Sequence, residues 1–229
     1  MNDLDRPVWA SLAHAPHLAE GGPLARRFRR DVNVFASARD DELASLAALQ
    51  DLVAPGESVY VLQVPEIPVP PGLVATRTAQ GVQMVATRPL SPLAGEGVVQ
   101  ELGEADAPEM LALAQLTEPG PFLARTHTMG RFIGLRLQGR LAAMAGERMR
   151  FPGFTEVSGV CTHPDFRGRG LAGRLSSVVA HTIQQRGEQP FLHAWASNRA
   201  AITLYEGLGF ERRAAVQVAV LARPLTEVR

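Results

Sequence analysis

The first half of the chain carries one clear apolar rhythm. Leucines recur every third residue in "LASLAALQDL", which is helical spacing, so a helix is predicted over about 40–53 with Asp40 or Asp41 as its N-cap. Short apolar runs bounded by turn-forming residues predict strands over 58–64 and 82–87.

The second half alternates strand and helix patterns more densely. Apolar and β-branched runs predict strands over 98–103, 154–162, 190–195 and 214–222. Apolar residues at helical spacing predict helices over 106–117, 169–186 and 199–208. "RFIGLRLQGRLAAMAGERM" predicts a hairpin that turns at Gln138-Gly139. The order β-α-β-β-β-α-β-α-β indicates an α/β or α+β fold with a mixed sheet.

Helix ends and a domain boundary follow from single residue types. Ser197 or Asn198 is expected to cap the last helix, and Gly187 and Gly209 are expected to end the last two helices. The proline- and glycine-rich stretch "RPLSPLAGEG" precedes the dense second half. The sequence therefore predicts a smaller N-terminal α/β lobe over residues 1–95 and a second domain over residues 96–229.

Composition excludes several classes of function. The chain has 229 residues, 46% of them hydrophobic, with a formal net charge of zero, so a buried core is expected and a dedicated nucleic-acid surface is not. All 23 basic residues are arginine, which leaves no lysine for a Walker A phosphate loop. Cys161 is the only cysteine, so neither an internal disulfide nor a multi-cysteine metal site is expected. The N-terminus lacks a signal-peptide pattern and no apolar run is long enough to span a membrane, so a soluble cytoplasmic protein is expected.

The stretch "GRGLAGR" (168–174) follows a predicted strand and opens a predicted helix. Glycines at such a junction expose backbone N–H groups at a helix N-terminus, which favours a phosphate, and Arg167 and Arg169 add charge. A purely structural loop of this composition stays open, because G-x-G-x-x-G alone is weak evidence. A dinucleotide-binding fold is excluded, because "HPDFR" separates strand from glycines and no acidic residue ends the next strand.

"VCTHPDFRGRGLAGRL" resembles motif A of the GNAT superfamily, the acetyl-CoA-dependent N-acetyltransferases. The pattern [Q/R]-x-x-G-x-[G/A] falls on Arg167, Gly170 and Ala172, and "NRAAITLYEGLGF" resembles the segment that follows in the same family. The resemblance covers about residues 97–222. It implies a mixed, mostly antiparallel sheet flanked by helices, with acetyl-CoA as cosubstrate and no metal.

The resemblance also implies which residues contact coenzyme A. The pyrophosphate would rest on the backbone amides of the glycine loop: Arg167, Gly168, Arg169, Gly170, Leu171 and Ala172. The pantetheine arm would lie like an added strand along the backbone of Val160, Cys161 and Thr162. Asn198 is a further candidate for the pantetheine, with a helix cap as its simpler role.

Acetyl transfer to an amine needs a proton donor for the departing thiolate, a base for the amine and a donor for the oxyanion. By resemblance, Tyr205 is the expected proton donor, although a helix-packing tyrosine is the alternative. Glu156, on the motif A strand, is the expected base if it is partly buried with a raised pKa; a solvent-facing glutamate is the alternative, and Glu147 is the second choice. The Val160 N–H is the expected oxyanion donor, at a bulge in that strand.

Other candidates are weaker. Cys161 is expected to be a buried, inert thiol rather than an acyl carrier. His163 is expected to touch phosphate or cap its turn, and His193 is expected to pack on its strand or to face the acceptor. The loop "TEPGPFLARTHTMG" (117–130) is expected to line the path of the amine. For residues 1–95 three roles stay open: a degenerate half of a duplicated fold, a lid, or a dimerisation surface that would make a homodimer.

The expected function is therefore transfer of an acetyl group from acetyl-CoA to the amine of a small molecule or peptide, with no nucleic acid or membrane as partner. Two alternatives stay open: a non-catalytic acyl-CoA-binding module, and a transferase for another acyl group. The sequence does not identify the acceptor.

Overall fold

The computed structural model describes residues 2–225. Its α-helices are α1 (Pro7–His14), α2 (Leu43–Asp51), α3 (Ala107–Thr117), α4 (Leu171–Gln185) and α5 (Arg199–Leu208). Its strands are β1 (Ala19–Gly21), β2 (Ala25–Phe28), β3 (Ala36–Ala38), β4 (Ser58–Gln63), β5 (Val74–Ala86), β6 (Val99–Leu102), β7 (Phe132–Leu137), β8 (Arg140–Phe151), β9 (Phe154–Thr162), β10 (Gln189–Trp195) and β11 (Phe210–Ala222).

The described residues form two compact units. Unit 1 comprises residues 2–30, 34–82 and 214–225, and unit 2 comprises residues 31–33 and 83–213. The predicted division after residue 95 does not coincide with these units. The reason is strand pairing: β11, near the C-terminal end, pairs with β4 from Gln217 to Ala222 and so belongs largely to unit 1.

Unit 1 contains a three-stranded antiparallel sheet in the order β1-β2-β3, and β11 lies between β4 and β5. Its core is made of small and branched side chains from several elements: Ala25, Ala36, Ala38, Leu46, Leu49, Val53, Val59, Val61, Leu73, Ala219 and Leu221. The leucine rhythm predicted α2, which begins after Glu42. The N-cap residue is Glu42 rather than the expected Asp40 or Asp41. The Asp40 side chain instead accepts the Glu42 N–H, at 3.2 Å, ahead of the helix.

Unit 2 has the strand order β5-β10-β9-β8-β7-β6. β10 runs parallel to β9, and the pairs from β9 to β6 are antiparallel. The predicted mixed, mostly antiparallel sheet with flanking helices is therefore confirmed. Met110 and Leu113 of α3 pack against Met144 and Cys161, whereas α4 contacts the same strands and ends near Glu147. Because successive strand residues point to opposite faces, Arg148 lies on the face that α3 covers.

Local signals predicted the elements of unit 2 closely. β9 and α5 have the predicted bounds. The Asn198 side chain accepts the Ala201 N–H, at 3.1 Å, and caps α5, while Gly209 ends this helix in the left-handed conformation. Gln138 and Gly139 both have positive φ, 53° and 76°, as a tight hairpin turn requires. Within residues 2–225, no helix combines the length and the apolar character needed to cross a membrane.

Candidate active site

An opening lies between the parallel strands β9 and β10. Their register runs from Gln189↔Phe154 to Phe191↔Glu156 and then stops, although β9 continues to Thr162 and β10 to Trp195. Past this point the edges of β9 and β10 that face each other carry backbone N–H and C=O groups without a strand partner. A ligand can pair with such an edge. The His163 N–H points to β8, where it donates to the Ala142 carbonyl at 2.8 Å. By alternation along the chain, the Thr162 N–H and C=O point to the open side.

A bulge interrupts β9 beside this opening. Met144 pairs with Cys161 and Gly146 pairs with Ser158, so two residues of β9, Gly159 and Val160, face the single residue between them on β8. Gly159 has φ 62°, and a Cβ there would lie 2.9 Å from the Phe132 ring. The bulge expected at Val160 is therefore present, and glycine is required at its first position.

The glycine loop follows β9 after a short 3-10 turn (Pro164–Phe166) and is exposed to solvent. Residues 167–170 are exposed, Gly168 and Gly170 have φ 77° and 72°, and Gly170 is the N-cap residue of α4. Apart from the adjoining chain, no atom of residues 2–225 lies within 4 Å of a Cβ built on either glycine. Glycine is therefore needed here for its backbone conformation, since other residues rarely adopt a positive φ. The two glycines also leave open space above the N–H groups in the first turn of α4, which have no partner within the helix. Such a cradle favours an anion.

The arginines around this loop differ in their partners. Arg169 pairs with Glu96 and stacks near the Phe166 ring, 5.8 Å from its centroid. Arg174 donates to the backbone carbonyls of Glu96 and Gly97. Arg167 is exposed. The loop thus keeps positive charge at its surface, although Glu96 offsets part of it. His163 accepts the Asp165 N–H at 3.2 Å, the capping role that was one of its two alternatives.

Tyr205 lies on α5 with only 8% of its surface exposed. Its ring packs edge-on against Phe210, with centroids 6.0 Å apart. Burial raises the pKa of Tyr205 to about 12, and the nearby Ser176 hydroxyl offsets part of that rise. Tyr205 therefore stays protonated at neutral pH and can donate a proton.

Glu156 is fully buried in a polar cluster rather than facing substrate. Arg148 donates to both carboxylate oxygens, each at 2.7 Å, and the His193 Nδ1 lies 2.7 Å from Oε1. Burial alone would raise the pKa of this carboxyl, but Arg148 and His193 outweigh it and lower the pKa of Glu156 to about 2.

This environment corrects the raised pKa expected for Glu156, the property that would suit it to act as a base. A general base needs a pKa near the working pH, and the expected raised pKa is wrong, because a carboxylate held by a guanidinium is a very weak base. Glu147, the second choice, is also held: both of its oxygens accept from Arg186, at 2.9 and 3.0 Å. Neither carboxylate is available as the base without breaking an ion pair.

The cluster continues through His193 to residues that the sequence analysis missed. Arg213 donates to Gln83 Oε1 at 2.8 Å, which turns the amide nitrogen of Gln83 toward His193 Nε2, at 3.1 Å. His193 Nε2 must then accept, and Nδ1 carries the proton that is donated to Glu156. Arg148 could have been flagged from the sequence, because it is a charged residue inside the apolar strand pattern "LAAMAGERM".

A pocket lies on the α3 side of the bulge. It is lined by Pro119, Gly120, Pro121, Phe122, Thr126, Phe132, Arg148, Ser158 and Gly159. The Phe122 and Phe132 rings form an edge-to-face pair with centroids 5.6 Å apart. The loop 117–130, expected to line the path of an amine, thus supplies one wall. Among residues 2–225, no group of His, Cys, Asp and Glu side chains is arranged to hold a metal ion.

Cys161 is 6% exposed, and burial raises the pKa of its thiol to about 11. Near neutral pH the reactive thiolate is therefore scarce. We expect the native protein to react with a chromogenic disulfide reagent at least about a hundredfold more slowly than the denatured chain, measured by the released thiolate. A fast reaction in the native state would contradict the buried position of this thiol.

Comparisons with known proteins agree with this architecture. The model of the family described as FR47-like protein matches residues 132–219. A solved structure from Novosphingobium aromaticivorans, named as an acetyltransferase from the GNAT family, is 43% identical over 97% of this chain and 99% of that chain, with a TM-score of 0.91. A GCN5-related N-acetyltransferase from Kribbella flavida is 17% identical over 100% and 98% of the two chains, with a TM-score of 0.68. A GCN5-related N-acetyltransferase-like protein from Streptococcus suis is 15% identical over 94% and 92%, with a TM-score of 0.60. None of the curated proteins matches the sequence.

The two distant structures show a shared fold and nothing further. The Novosphingobium protein shows more, because 43% identity extends over almost the full length of both chains. Together with the opening beside β9 and the glycine loop that follows it, this similarity establishes that the chain belongs to the GNAT family of acetyltransferases.

Proposed function

We propose that this protein transfers an acetyl group from acetyl-CoA to an amine acceptor, by direct attack of the amine and through a tetrahedral intermediate. The observation that supports this most is a coincidence of three features within unit 2. The β9–β10 pairing ends at Glu156 and Phe191, a bulge follows at Gly159, and the glycine loop opens α4. A donor with an amide-bearing arm and a pyrophosphate fits these features, with the arm beside the open edge and bulge of β9 and the pyrophosphate at the glycine loop.

The glycine loop would hold the pyrophosphate. The N–H groups from Gly168 to Ala172 surround the start of α4, whereas the Arg167 N–H donates to the Pro164 carbonyl at 3.3 Å. Gly168 and Gly170 leave the space above the loop open. Arg167 is exposed beside the loop and would add a charge-assisted contact. The pantetheine amides would pair with β9 between Val160 and Thr162, in the manner of an added strand.

Acetyl-CoA supplies a thioester, whose carbonyl carbon is attacked and whose thiolate departs. The Val160 N–H, at the bulge, would donate to the oxyanion that forms on this carbonyl. Tyr205 would donate its proton to the departing sulfur, since burial keeps its hydroxyl protonated. Asn198 keeps its capping contact with Ala201 and would approach the arm from the start of α5.

The amine must lose its proton before it attacks, because a primary alkyl amine with a pKa near ~10 is mostly protonated at pH 7. None of the described residues that line the pocket is a carboxylate or a histidine, and Glu156 lies behind Arg148. We therefore propose that the amine enters as the neutral form or gives its proton to water, and that the pocket orients it without a dedicated base.

Two experiments test the proposal in sequence. Isothermal titration with CoA, acetyl-CoA and NAD tests the ligand class, and we expect binding of the first two alone. A screen of amine acceptors with detection of the released CoA thiol then tests acetyl transfer. Binding of NAD would overturn the ligand assignment, and tight acetyl-CoA binding without thiol release for any amine would make the protein a binding module. Comparison of acetyl-CoA with longer acyl-CoA donors in the same screen tests the acyl group.

Replacement of Gly170 by aspartate should weaken CoA binding by about tenfold to a hundredfold, because it places a negative charge beside the expected pyrophosphate. Gly187 provides the matched control at the other end of α4. Its φ is 76°, against 72° for Gly170, and a Cβ at either position meets nothing within 4 Å. Gly187→Asp therefore introduces the same backbone strain away from the loop. Equal loss of affinity in both variants, measured by titration calorimetry, would contradict the assignment of the loop.

A further inference from the structure

Ser176 on α4 carries a buried hydroxyl without a hydrogen-bond partner. The residue is 0% exposed, and within residues 2–225 its Oγ has no partner at hydrogen-bond distance. Leaving a buried polar group unpaired is costly, so such a group calls for an explanation. Its neighbour Ser177 is satisfied: the Ser177 Oγ donates to the Arg174 carbonyl at 2.7 Å and accepts the Leu93 N–H at 2.8 Å.

A hydroxyl in a helix can donate to the backbone carbonyl four residues earlier, and the Ser176 hydroxyl does not make this bond. Thr182, on the same helix, donates to the Val178 carbonyl four residues earlier, at 2.9 Å. Ser176 lies on the buried stripe of α4 with Ala180 and Ile183, so its hydroxyl is held in the interior and cannot reach bulk water. The partner must therefore be another interior group or a bound molecule.

The interior group beside Ser176 is Tyr205. One turn earlier, a Cβ on Gly173 would lie 3.0 Å from Leu204 Cδ1, so α4 and α5 approach each other closely here. The Tyr205 ring is fixed against Phe210, and its hydroxyl lies near Ser176 without completing a hydrogen bond.

We propose that Ser176 is a positioning residue for Tyr205: with the acyl donor bound, the Ser176 hydroxyl donates a hydrogen bond to the Tyr205 oxygen and directs the Tyr205 proton to the departing sulfur. This inference rests on the proposed function. As the carbon–sulfur bond breaks, the thiolate takes the Tyr205 proton, and the tyrosinate keeps the hydrogen bond from Ser176. The attacking amine gives up one proton to water, and Tyr205 regains one from water, so Ser176 itself neither gains nor loses a proton.

Ser176→Ala separates this role from a structural one. We expect kcat to fall by about tenfold to a hundredfold, with KM for acetyl-CoA within about twofold of the original and the melting temperature unchanged or higher, because an unpaired hydroxyl is removed. Ser176→Thr, which restores a hydroxyl, should recover part of kcat. Ser177→Ala is the matched control. It loses two hydrogen bonds, so its melting temperature should fall, whereas kcat measured below that temperature should match the original.

The double variant Ser176→Ala/Tyr205→Phe tests whether Ser176 acts through Tyr205. We expect it to be no slower than Tyr205→Phe alone, because the two residues form one unit. An additive loss, or an unchanged kcat in Ser176→Ala, would overturn the proposal.

Tyrosine absorbance gives a readout that does not depend on turnover. The chain has two tyrosines, so Tyr205 is alone in a Tyr60→Phe background. At about pH 11, roughly a tenth of Tyr205 should be ionised, and Ser176→Ala should lower that fraction, with circular dichroism to confirm that both proteins stay folded. An unchanged fraction would overturn the contact itself. A lowered fraction without any acetyl transfer would instead overturn only the proposed function.

Discussion

Tyr205→Phe should lower kcat by about a hundredfold or more while the dissociation constant for CoA stays nearly the same. The ring remains packed against Phe210, so only the hydroxyl is lost. The thiolate would then leave without a proton donor, which affects the transition state and not the binding of the donor. Steady-state kinetics with acetyl-CoA and the best acceptor of the screen, together with calorimetry with CoA, measure the two quantities.

Tyr60→Phe is the matched control for this prediction. Tyr60 lies on β4 in unit 1, and its ring packs edge-on against Phe35 with the ring centroids 6.1 Å apart. It has no part in the proposed reaction. We expect its kcat to match the original. Because the pKa of Tyr205 is raised to about 12, its loss of a proton should not limit turnover until the pH approaches that value. Full turnover in Tyr205→Phe would remove Tyr205 from the mechanism and leave it the packing role that was its alternative.

The sequence predicted best those features whose cause is local. β9 is a run of β-branched and apolar residues, and α5 has an asparagine cap at one end and Gly209 at the other, so a few neighbouring residues determine their bounds. The glycine loop belongs to the same class. Its positive φ angles at Gly168 and Gly170 follow from the residue type, and its place at the start of α4 follows from the pattern around it.

Features that depend on pairing between distant residues were not predictable in this way. The carboxylate of Glu156 was expected to act as a base, partly buried and with a raised pKa, because of its place on the motif A strand. Its partner, Arg148, reaches it across the β8–β9 pair, where a register shift on β8 sets the two side chains together. The same limit applies to the end of the β9–β10 pairing, which is a property of two strands and of neither alone.

The basic cluster "LARRFRRD" shows the same limit in unit 1. Clustered charge in sequence is typical of a solvated surface. In the structure this stretch contains β2, and Arg27 is only 4% exposed. It donates to the Leu52 carbonyl at 3.1 Å and pairs with Glu57 at 2.8 Å. Leu52 comes directly after α2 and Glu57 directly before β4, so local sequence does not reveal these partners.

Glu156→Gln should lower the free energy of unfolding by about 3–5 kcal/mol, the usual cost of removing one partner of a buried ion pair. The change keeps the shape of the side chain but removes the negative charge that Arg148 contacts, and the Arg148 side chain is only 9% exposed. Chemical denaturation at neutral pH measures the loss. Glu206→Gln is the control: Glu206 and Arg212 form an exposed pair, 44% and 58% exposed, and its loss should cost less than about 1 kcal/mol.

A double variant tests the cause. Arg148→Met combined with Glu156→Gln removes the charge together with its partner, so we expect it to recover part of the stability that the single change loses. If the double variant is less stable than Glu156→Gln, the loss comes from packing and not from the broken Arg148–Glu156 ion pair.

The dependence on pH gives an independent measure of the same ion pair. The pKa of Glu156 is lowered to about 2, so its contribution to stability is present above the unfolded pKa, near ~4.3, and disappears as the pH falls toward 2. The original protein should therefore lose stability more steeply over this window than Glu156→Gln, in which this carboxyl is absent. Other carboxyls with lowered pKa, such as Glu57 and Glu188, are common to both proteins and cancel in the difference. Parallel acid profiles, combined with normal stability and lost turnover in Glu156→Gln, would instead return Glu156 to the role of a base that acts on the amine.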